Sequence, residues 1–221
     1  LIGQNGAGKT TLLDCISGFL PIEGGHIVFR GRDITRWAAH ERASAGLGRS
    51  FQEARLFPSL TVAETVAVAR ERHVESRSVL ADALRQPASF EAELATARRV
   101  HELLGLLGLR DHADKRTAEL STGMRRIVEL ACLLAADPAV LLLDEPSAGV
   151  AQRETEALGP LLVRIRDHTG AALLIIEHDM PLLSGVCDRM VALELGSVIA
   201  AGPPELVLAD DRVIASYLGT E

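Results

Sequence analysis

Aromatic side chains are scarce in this sequence and make up only 3% of its 221 residues. Aliphatic side chains must therefore fill the core, and a surface that stacks nucleic-acid bases on aromatic rings is not expected. Basic residues are also few, because 23 Lys and Arg stand against 30 Asp and Glu and leave a formal net charge of −7. Broad nucleic-acid binding needs clustered Lys and Arg, so the composition argues against a nucleic-acid partner.

Cysteines and long apolar runs are equally limited. Cys15, Cys132 and Cys187 are far apart, and their odd number and spacing suit neither a disulfide framework nor a zinc site. We therefore expect a reducing compartment such as the cytosol. The longest apolar run, residues 130–143, is interrupted by Asp137 and falls short of the ~20 residues that a membrane span requires. The remaining composition, 48% hydrophobic and 24% charged, is typical of a globular domain.

Residues 3–10, Gly-Gln-Asn-Gly-Ala-Gly-Lys-Thr, fit the pattern G-x-x-x-x-G-K-[ST] at every fixed position. Glycines allow such a loop to curl until its N–H groups point at phosphate oxygens, and the helix that follows adds a favourable dipole. Lys9 supplies a charge for the β- and γ-phosphates, and the hydroxyl of Thr10 is placed for Mg²⁺. We expect this P-loop to bind a nucleoside triphosphate through Gly3, Asn5, Gly6, Ala7, Gly8, Lys9, Thr10 and Thr11.

Two apolar runs that end in polar residues bear on the choice among kinases, GTPases and ATPases, which a P-loop alone leaves open. Residues 139–143 are typical of a strand buried on both faces of a parallel sheet, and Asp144 and Glu145 follow it. Asp144 can hold the Mg²⁺ shell, and Glu145 can orient or deprotonate the attacking water. Residues 171–176 repeat the pattern, and His178 after them can contact a γ-phosphate.

A second helix start suited to an anion lies at residues 120–123, Leu-Ser-Thr-Gly. Ser121 is a favourable N-cap, and with the N–H of Gly123 it would form another phosphate site. One ATP does not obviously need both helix starts in the same molecule. A head-to-tail dimer would place each ATP between one P-loop and the Ser-x-Gly segment of the partner.

Taken in order, these motifs resemble an ATP-binding-cassette (ABC) transporter ATPase over nearly the whole chain. The order is the P-loop, Gln52, residues 120–123, Leu-Leu-Leu-Asp-Glu-Pro at 141–146 and Glu-His-Asp at 177–179. Five stretches are similar to the branched-chain amino-acid importer subfamily: residues 48–52, 55–58, 147–149, 176–180 and 213–219. Lipopolysaccharide-export relatives share part of this similarity.

The resemblance implies a role for each matching residue. Gln52 would contact Mg²⁺ and water, so that Thr10, Gln52 and Asp144 form the metal site. Glu145 would be the catalytic glutamate and His178 the switch histidine. Ser121 and Gly123 would close on the ATP of a second ATPase subunit, which is either the same chain or a sister chain.

The resemblance also implies the setting in which the protein works. ATP hydrolysis would energise uptake of branched-chain amino acids or related solutes by transmembrane permease subunits, with an extracytoplasmic solute-binding protein acting indirectly. The chain would then lie at the cytoplasmic face of the membrane as a peripheral subunit. Two alternatives stay open: a lipopolysaccharide-export type of ABC ATPase, and a non-transport ABC ATPase that acts on DNA or ribosomes.

The predicted fold is α/β, a P-loop NTPase (RecA-like) core with a parallel sheet and an inserted helical sub-domain. Strands and helices alternate over residues 1–52 and 137–221, which we assign to the core, whereas residues 53–136 lack strand signals and would form the helical sub-domain. Within it, an apolar stripe at helical spacing is expected to be core: Phe90, Leu94, Ala97, Val100, Leu104 and Leu107. Since the P-loop begins directly after Leu1-Ile2, we expect a fragment whose first strands precede Leu1.

Three positions depart from the family pattern. Thr122 and Met124 stand where Gly and Gln are commoner in the signature segment, which leads us to expect tuned rather than lost activity. Val150 stands where many family members have an aspartate that makes a contact across the dimer, so that contact is not expected here.

Overall fold

The computed structural model describes residues 1–51, 56–71, 87–150 and 152–218. The chain divides into two compact units, of which the first consists of Leu1–Gln52 and Ala139–Glu221 and the second of Glu53–Pro138. Gln52, the expected Mg²⁺ contact, lies outside the described residues. Within the ranges given, no helix is both long enough and apolar enough to cross a membrane.

The elements alternate between helix and strand in the first unit, whereas helices dominate the second. The first part of the first unit contains α1 (Lys9–Ser17), β1 (Val28–Phe29), β2 (Arg32–Asp33), α2 (Ala39–Ser44) and β3 (Leu47–Arg49). The second unit contains α3 (Val62–Arg70), α4 (Pro87–Leu106), 3-10 turns at Arg110–His112 and Thr117–Glu119, and α5 (Thr122–Ala135). The chain then returns to the first unit with β4 (Val140–Asp144), α6 (Gln152–Thr169), β5 (Ala172–Ile176), α7 (Met180–Val186), β6 (Met190–Glu194), β7 (Ser197–Gly202), α8 (Pro204–Leu208) and α9 (Asp211–Leu218).

A parallel sheet carries the first unit, and both apolar runs form strands of it as predicted. The expected burial holds for β4 but is wrong for the first half of β5, where Ala172 is exposed and the next two residues are half-buried. Strand β4 lies between β3 and β5 and runs parallel to both. Ile2 continues this arrangement, since it forms a parallel bridge with Ala192 of β6 and its N–H donates to the carbonyl of Val191 at 2.9 Å. The nitrogen of Leu1 donates to the carbonyl of Ile175 in β5 at 2.6 Å, so the carboxyl ends of β5 and of its neighbour β4 lie beside the loop that follows Ile2.

The core of the first unit explains why β4 is a continuous apolar run. Leu141, Leu142 and Leu143 are all buried, as expected for a strand covered on both faces. Leu13 of α1 and Ile176 of β5 belong to the same apolar cluster as Leu142. Helix α1 is therefore anchored to the sheet through its buried face, and its first turn stays at the strand ends.

The second unit has its core among α3, α4 and α5. The apolar stripe predicted along α4 is wrong in its first half, because Leu94 is 40% exposed and Ala97 is also exposed. The second half of the predicted stripe is buried: Val100, Leu104 and Leu107. Helical spacing places these residues on one face, but it does not say how far along the helix a neighbour packs against that face. The side chain of Phe90 lies outside the described part of the chain.

Candidate functional site: a nucleotide-binding loop at the strand ends

The P-loop follows Ile2 and turns into α1 with three glycines at positive φ. The φ angles are 153° at Gly3, 82° at Gly6 and 93° at Gly8. Gly8 is the N-cap of α1 and makes no side-chain cap bond, so the first-turn N–H groups of the helix are left for a ligand. Such a helix start favours a phosphate group. Of the other predicted phosphate contacts, Ala7 is buried, whereas Asn5, Thr10 and Thr11 are exposed.

Lys9 is folded over the loop to which it belongs. Its side chain is buried, with 6% exposure, and its ammonium donates to the carbonyls of Gly3 at 2.7 Å and Gln4 at 3.0 Å. Burial lowers the pKa of Lys9, although the carboxylates of Glu145 and Asp144 act in the opposite direction. The ammonium therefore lies within electrostatic reach of both acids that follow β4.

Asp144 and Thr10 provide two oxygens of the kind that Mg²⁺ prefers. Asp144 ends β4 and is 2% exposed; its N–H donates to the hydroxyl of Ser50 at 3.1 Å, and the hydroxyl of Thr10 lies near enough to its carboxylate to lower its pKa. Burial raises the pKa of Asp144, opposed by the charge of Arg49 and by the hydroxyl of Thr10. In the part of the chain that the structure describes, the Oδ1 atom of Asp144 is buried without a hydrogen-bond partner. An unpaired buried carboxylate oxygen beside a hydroxyl fits a Mg²⁺ ion that a nucleotide phosphate also ligates.

Across residues 1–51, 56–71, 87–150 and 152–218, no larger metal site competes with this interpretation. Among the described residues, no group of three or more His, Cys, Asp or Glu side chains could hold a metal ion. Mg²⁺ in nucleotide sites is commonly held by one or two protein oxygens, with phosphates and waters completing its shell. The small donor set formed by Thr10 and Asp144 is therefore sufficient.

Glu145 and His178 meet at the ends of β4 and β5. The Nε2 atom of His178 lies 3.3 Å from Oε1 of Glu145, and both side chains are partly exposed. Glu145 adopts a φ of 47°, which is uncommon for a residue with a Cβ, and its N–H donates to the carbonyl of Ile176 at 2.9 Å. Strained backbone of this kind occurs often at active sites. The predicted catalytic pair is therefore brought together at one open edge of the sheet.

The signature residues lie in the second unit. Ser121 is the N-cap of α5, and its hydroxyl accepts the N–H of Met124 at 3.2 Å, which confirms the predicted cap. Ser121 and Thr122 are exposed, whereas Gly123 is buried. The start of α5 is thus formed and open within its own unit.

Arg49 is a site residue for which we assigned no role from the sequence. Its Nη1 atom donates to the hydroxyl of Ser17 at 2.7 Å and lies 2.5 Å from Oδ1 of Asp14, while its Nη2 atom is 3.9 Å from Oδ2 of Asp144. The guanidinium also lies over the ring of Phe19. Arg49 therefore connects α1 with the carboxyl end of β4. The only sequence signal was its position three residues before Gln52.

Four further hydrogen bonds were not predicted from the sequence. The hydroxyl of Tyr217 in α9 accepts the N–H of Gly3 at 2.7 Å, and the side-chain amide of Gln4 donates to the carbonyl of Ser216. The carboxylate of Glu177 accepts one main-chain N–H from the turn after β4 and that of the next residue in the chain. All but the last of these bonds join segments that are far apart in the chain.

Comparisons with known proteins identify the family of the chain. Residues 1–148 match the family model described as "ABC transporter", and residues 197–221 match the one described as "Branched-chain amino acid ATP-binding cassette transporter". LivG of Salmonella typhimurium, a high-affinity branched-chain amino acid transport ATP-binding protein, is 36% identical over 219 residues, which are 99% of this chain and 86% of LivG. LptB of Haemophilus influenzae, a lipopolysaccharide export system ATP-binding protein, is 34% identical over 221 residues, 100% of this chain and 85% of LptB.

A solved structure shows the same fold. The crystal structure of the ADP conformation of MJ1267, an ATP-binding cassette of an ABC transporter, is 27% identical, with a TM-score of 0.78; the match covers 99% of this chain and 86% of that one. The α/β P-loop NTPase fold expected from the sequence is thereby confirmed. The chain belongs to the ABC transporter family, whose ATP-binding cassettes bind nucleotide and hydrolyse ATP to energise transport.

Proposed function

We propose that this ATPase drives the import of branched-chain amino acids or related solutes. The observation that carries the proposal is the tail at residues 197–221, which matches a model described for branched-chain amino-acid cassettes. That tail reaches the nucleotide loop, because Tyr217 accepts the N–H of Gly3. A segment particular to one transporter class is thus bonded to the loop that binds nucleotide.

In this proposal the P-loop holds the triphosphate. The main-chain N–H groups of the loop and of the first turn of α1 bind the phosphate oxygens, and Lys9 contributes its positive charge. To do so, its ammonium must exchange the carbonyls of Gly3 and Gln4 for phosphate oxygens, which are better partners because they are charged. The phosphate contacts are Gly3, Asn5, Gly6, Ala7, Gly8, Lys9, Thr10 and Thr11.

Thr10 and Asp144 would hold Mg²⁺, together with Gln52. When bound, the ion neutralises charge on the phosphate oxygens. Asp144 supports this role because its Oδ1 atom is buried without a partner, while Ser50 and Arg49 fix the rest of the residue. The protein thus holds one acceptor oxygen ready for a cation.

Glu145 and His178 would carry out the hydrolytic step. A water placed next to the γ-phosphate gives its proton to the carboxylate of Glu145, which acts as general base, and its oxygen bonds to phosphorus as the bond to the β-phosphate oxygen breaks. His178 is within contact distance of Glu145 and would orient this carboxylate and the γ-phosphate. Gln52 is the third residue that we assign to the step, as a contact to the water.

Ser121 and Gly123 would complete the ATP site of a second ATPase subunit. The support for this is local: Ser121 is exposed at the start of α5, and its hydroxyl already fixes the geometry of that helix start. A helix start of this kind favours phosphate. We accordingly propose that the helical unit is the signature sub-domain and that two ATPase subunits form a dimer.

The permease would dock near the segment after Gln52, with this chain at the cytoplasmic face of the membrane. Phe57 is 54% exposed and Pro58 is also exposed, so this segment offers apolar surface to a partner. The partners in this proposal are transmembrane permease subunits, a second ATPase subunit and, indirectly, an extracytoplasmic solute-binding protein. No nucleic-acid partner is proposed.

Lipopolysaccharide export is the second candidate, because LptB is almost as similar to this chain as LivG is. Reconstitution of the full-length protein with the permease subunits of its gene neighbourhood distinguishes the two. We expect ATP hydrolysis to rise when a solute-binding protein loaded with leucine, isoleucine or valine is added. Stimulation by lipopolysaccharide and by none of the amino acids would favour the second candidate.

The proposed chemistry has its own test. We expect Glu145→Gln to retain ATP binding and to lower the rate of hydrolysis by about 10²–10⁴-fold, the usual contribution of a general base. Glu205→Gln, at an exposed position in α8, is the matched control and should hydrolyse ATP normally. Hydrolysis by Glu145→Gln at the wild-type rate would remove Glu145 from its role.

A further inference from the structure

Glu177 is a buried carboxylate for which the proposed chemistry has no use. It follows β5 directly, stands next to His178 and is 2% exposed. Among the ion pairs of the described residues, none includes Glu177. A buried carboxylate is costly unless hydrogen bonds compensate it, so its partners are informative.

Both oxygens of Glu177 accept main-chain N–H groups. Oε1 accepts the N–H of Ser147 at 2.7 Å, and Oε2 accepts the N–H of His178 at 3.1 Å. Charge-assisted bonds of this type are stronger than bonds between neutral groups. One side chain therefore joins the turn after β4 to the residue after β5.

The two segments that Glu177 joins are those that carry Glu145 and His178. Ser147 lies in the turn that begins at Glu145, in which the N–H of Ala148 donates to the carbonyl of Glu145 at 3.0 Å. Glu145 itself has a φ of 47°, so its conformation depends on support from its surroundings. Glu177 supports this turn through its bond to the N–H of Ser147, and it fixes the main chain of His178 through its second bond.

We propose that Glu177 is a positioning residue for ATP hydrolysis, which sets the main-chain geometry of the Glu145 turn relative to His178. This inference rests on the roles proposed above for Glu145 and His178. Glu177 acts through these two residues and does not touch the nucleotide. Because a displacement of about 1 Å at a reacting group can cost ~10²-fold in rate, two bonds to the flanking main chain matter for turnover.

Glu177→Gln tests the proposal, because it preserves shape but replaces one acceptor oxygen with an NH₂ donor. Two N–H groups then face a single acceptor, so one of the two bonds is lost whichever way the amide turns. In the full-length protein we expect kcat to fall by about 10- to 100-fold. Nucleotide affinity, titrated with ATP in the presence of Mg²⁺, should change little, because Lys9 and the P-loop are held by other contacts.

Glu129→Gln is the matched control. Glu129 is also a buried carboxylate, paired with Arg126 at 3.1 Å, but it lies in the other unit of the chain. We expect it to lower the melting temperature without lowering kcat. A wild-type kcat in Glu177→Gln, or a loss of kcat in both variants in proportion to their melting temperatures, would overturn the proposal.

Two further measurements keep the outcomes distinct. If Glu145→Gln hydrolyses ATP normally, the proposed chemistry fails; if it is inactive while Glu177→Gln is fully active, only the role of Glu177 fails. Should Glu177→Gln not fold, hydrogen exchange in the wild-type protein decides. The amides of Ser147 and His178 should be protected to a similar degree, and fast exchange at both would overturn the proposal.

Discussion

Gly3 is the position in the nucleotide loop at which an added methyl group should lower the stability of the protein most. Its φ is 153°, and a Cβ built there would lie 2.4 Å from the main-chain oxygen of Leu193 and 3.0 Å from the Cβ of Ala7. The carbonyl of Leu193 cannot retreat freely, because the N–H of the same residue donates to Ile2 at 2.9 Å in the sheet. Gly3→Ala must therefore displace either the loop or β6.

Gly6→Ala is the matched variant, from which the cost of the overlap can be worked out. Gly6 also has a positive φ, 82°, but an added Cβ would meet nothing within 4 Å. Both variants carry the penalty for a side chain at positive φ, about 1–3 kcal/mol. Only Gly3→Ala adds overpacking, which costs about 1–3 kcal/mol. At about 2–4 °C per kcal/mol for a chain of this size, Gly3→Ala should melt roughly 2–12 °C below Gly6→Ala.

The assay is thermal unfolding of the nucleotide-free, full-length protein, followed by calorimetry or circular dichroism. Leaving nucleotide out matters, because ligand binding would add its own contribution to stability. Equal melting temperatures for Gly3→Ala and Gly6→Ala would refute the reasoning. That result would mean that the Leu193 carbonyl moves aside at no cost and that β6 does not confine the loop.

Three other changes probe separate parts of the molecule. Lys9→Ala should weaken Mg-ATP binding by about 10- to 100-fold in titration calorimetry, because it removes a charged partner of the phosphates. Tyr217→Phe should lower the free energy of unfolding by about 1 kcal/mol, since the N–H of Gly3 loses its acceptor. Burial raises the pKa of Asp137, but bonds and charges from two arginines outweigh it and leave this pKa below its ordinary value. Asp137→Asn should therefore lower the melting temperature at neutral pH, and the difference from wild type should vanish as the pH falls below about 4.

For each of these three predictions, one result would contradict the reasoning behind it. Unchanged Mg-ATP affinity in Lys9→Ala would count against the P-loop assignment. Wild-type stability in Tyr217→Phe would show that water replaces the hydroxyl without loss. A lower pKa in the folded state stabilises the protein fully above the pKa of the unfolded state, and this stabilisation is lost as the pH falls through the folded pKa, so an Asp137→Asn defect that grows on acidification would contradict the sign of the shift.

Features that depend on neighbours in sequence were predicted well. The glycine spacing of residues 3–10 requires positive φ angles, and Gly6 and Gly8 adopt them. The apolar runs before Asp144 and His178 form parallel strands, because apolar runs as short as these suit a strand better than a helix. The Ser121 cap is formed as expected, since an N-cap needs only a donor three residues further on. The stripe along α4 shows where such reasoning ends, because its burial depends on how far the neighbouring helices extend.

By itself, the sequence determined the family and the fold class and predicted the chemical groups of the site, because short sequence patterns with local geometry specify all three. Only the tertiary structure decided which groups support them. Ser147 and Glu177 are 30 positions apart and meet because β4 and β5 are adjacent strands. Tyr217 and Gly3 are 214 positions apart, and they meet because Tyr217 lies in α9, which packs against β7. A single polar residue carries no signal of a distant main-chain partner. The contacts that hold the site therefore had to be read from the folded chain.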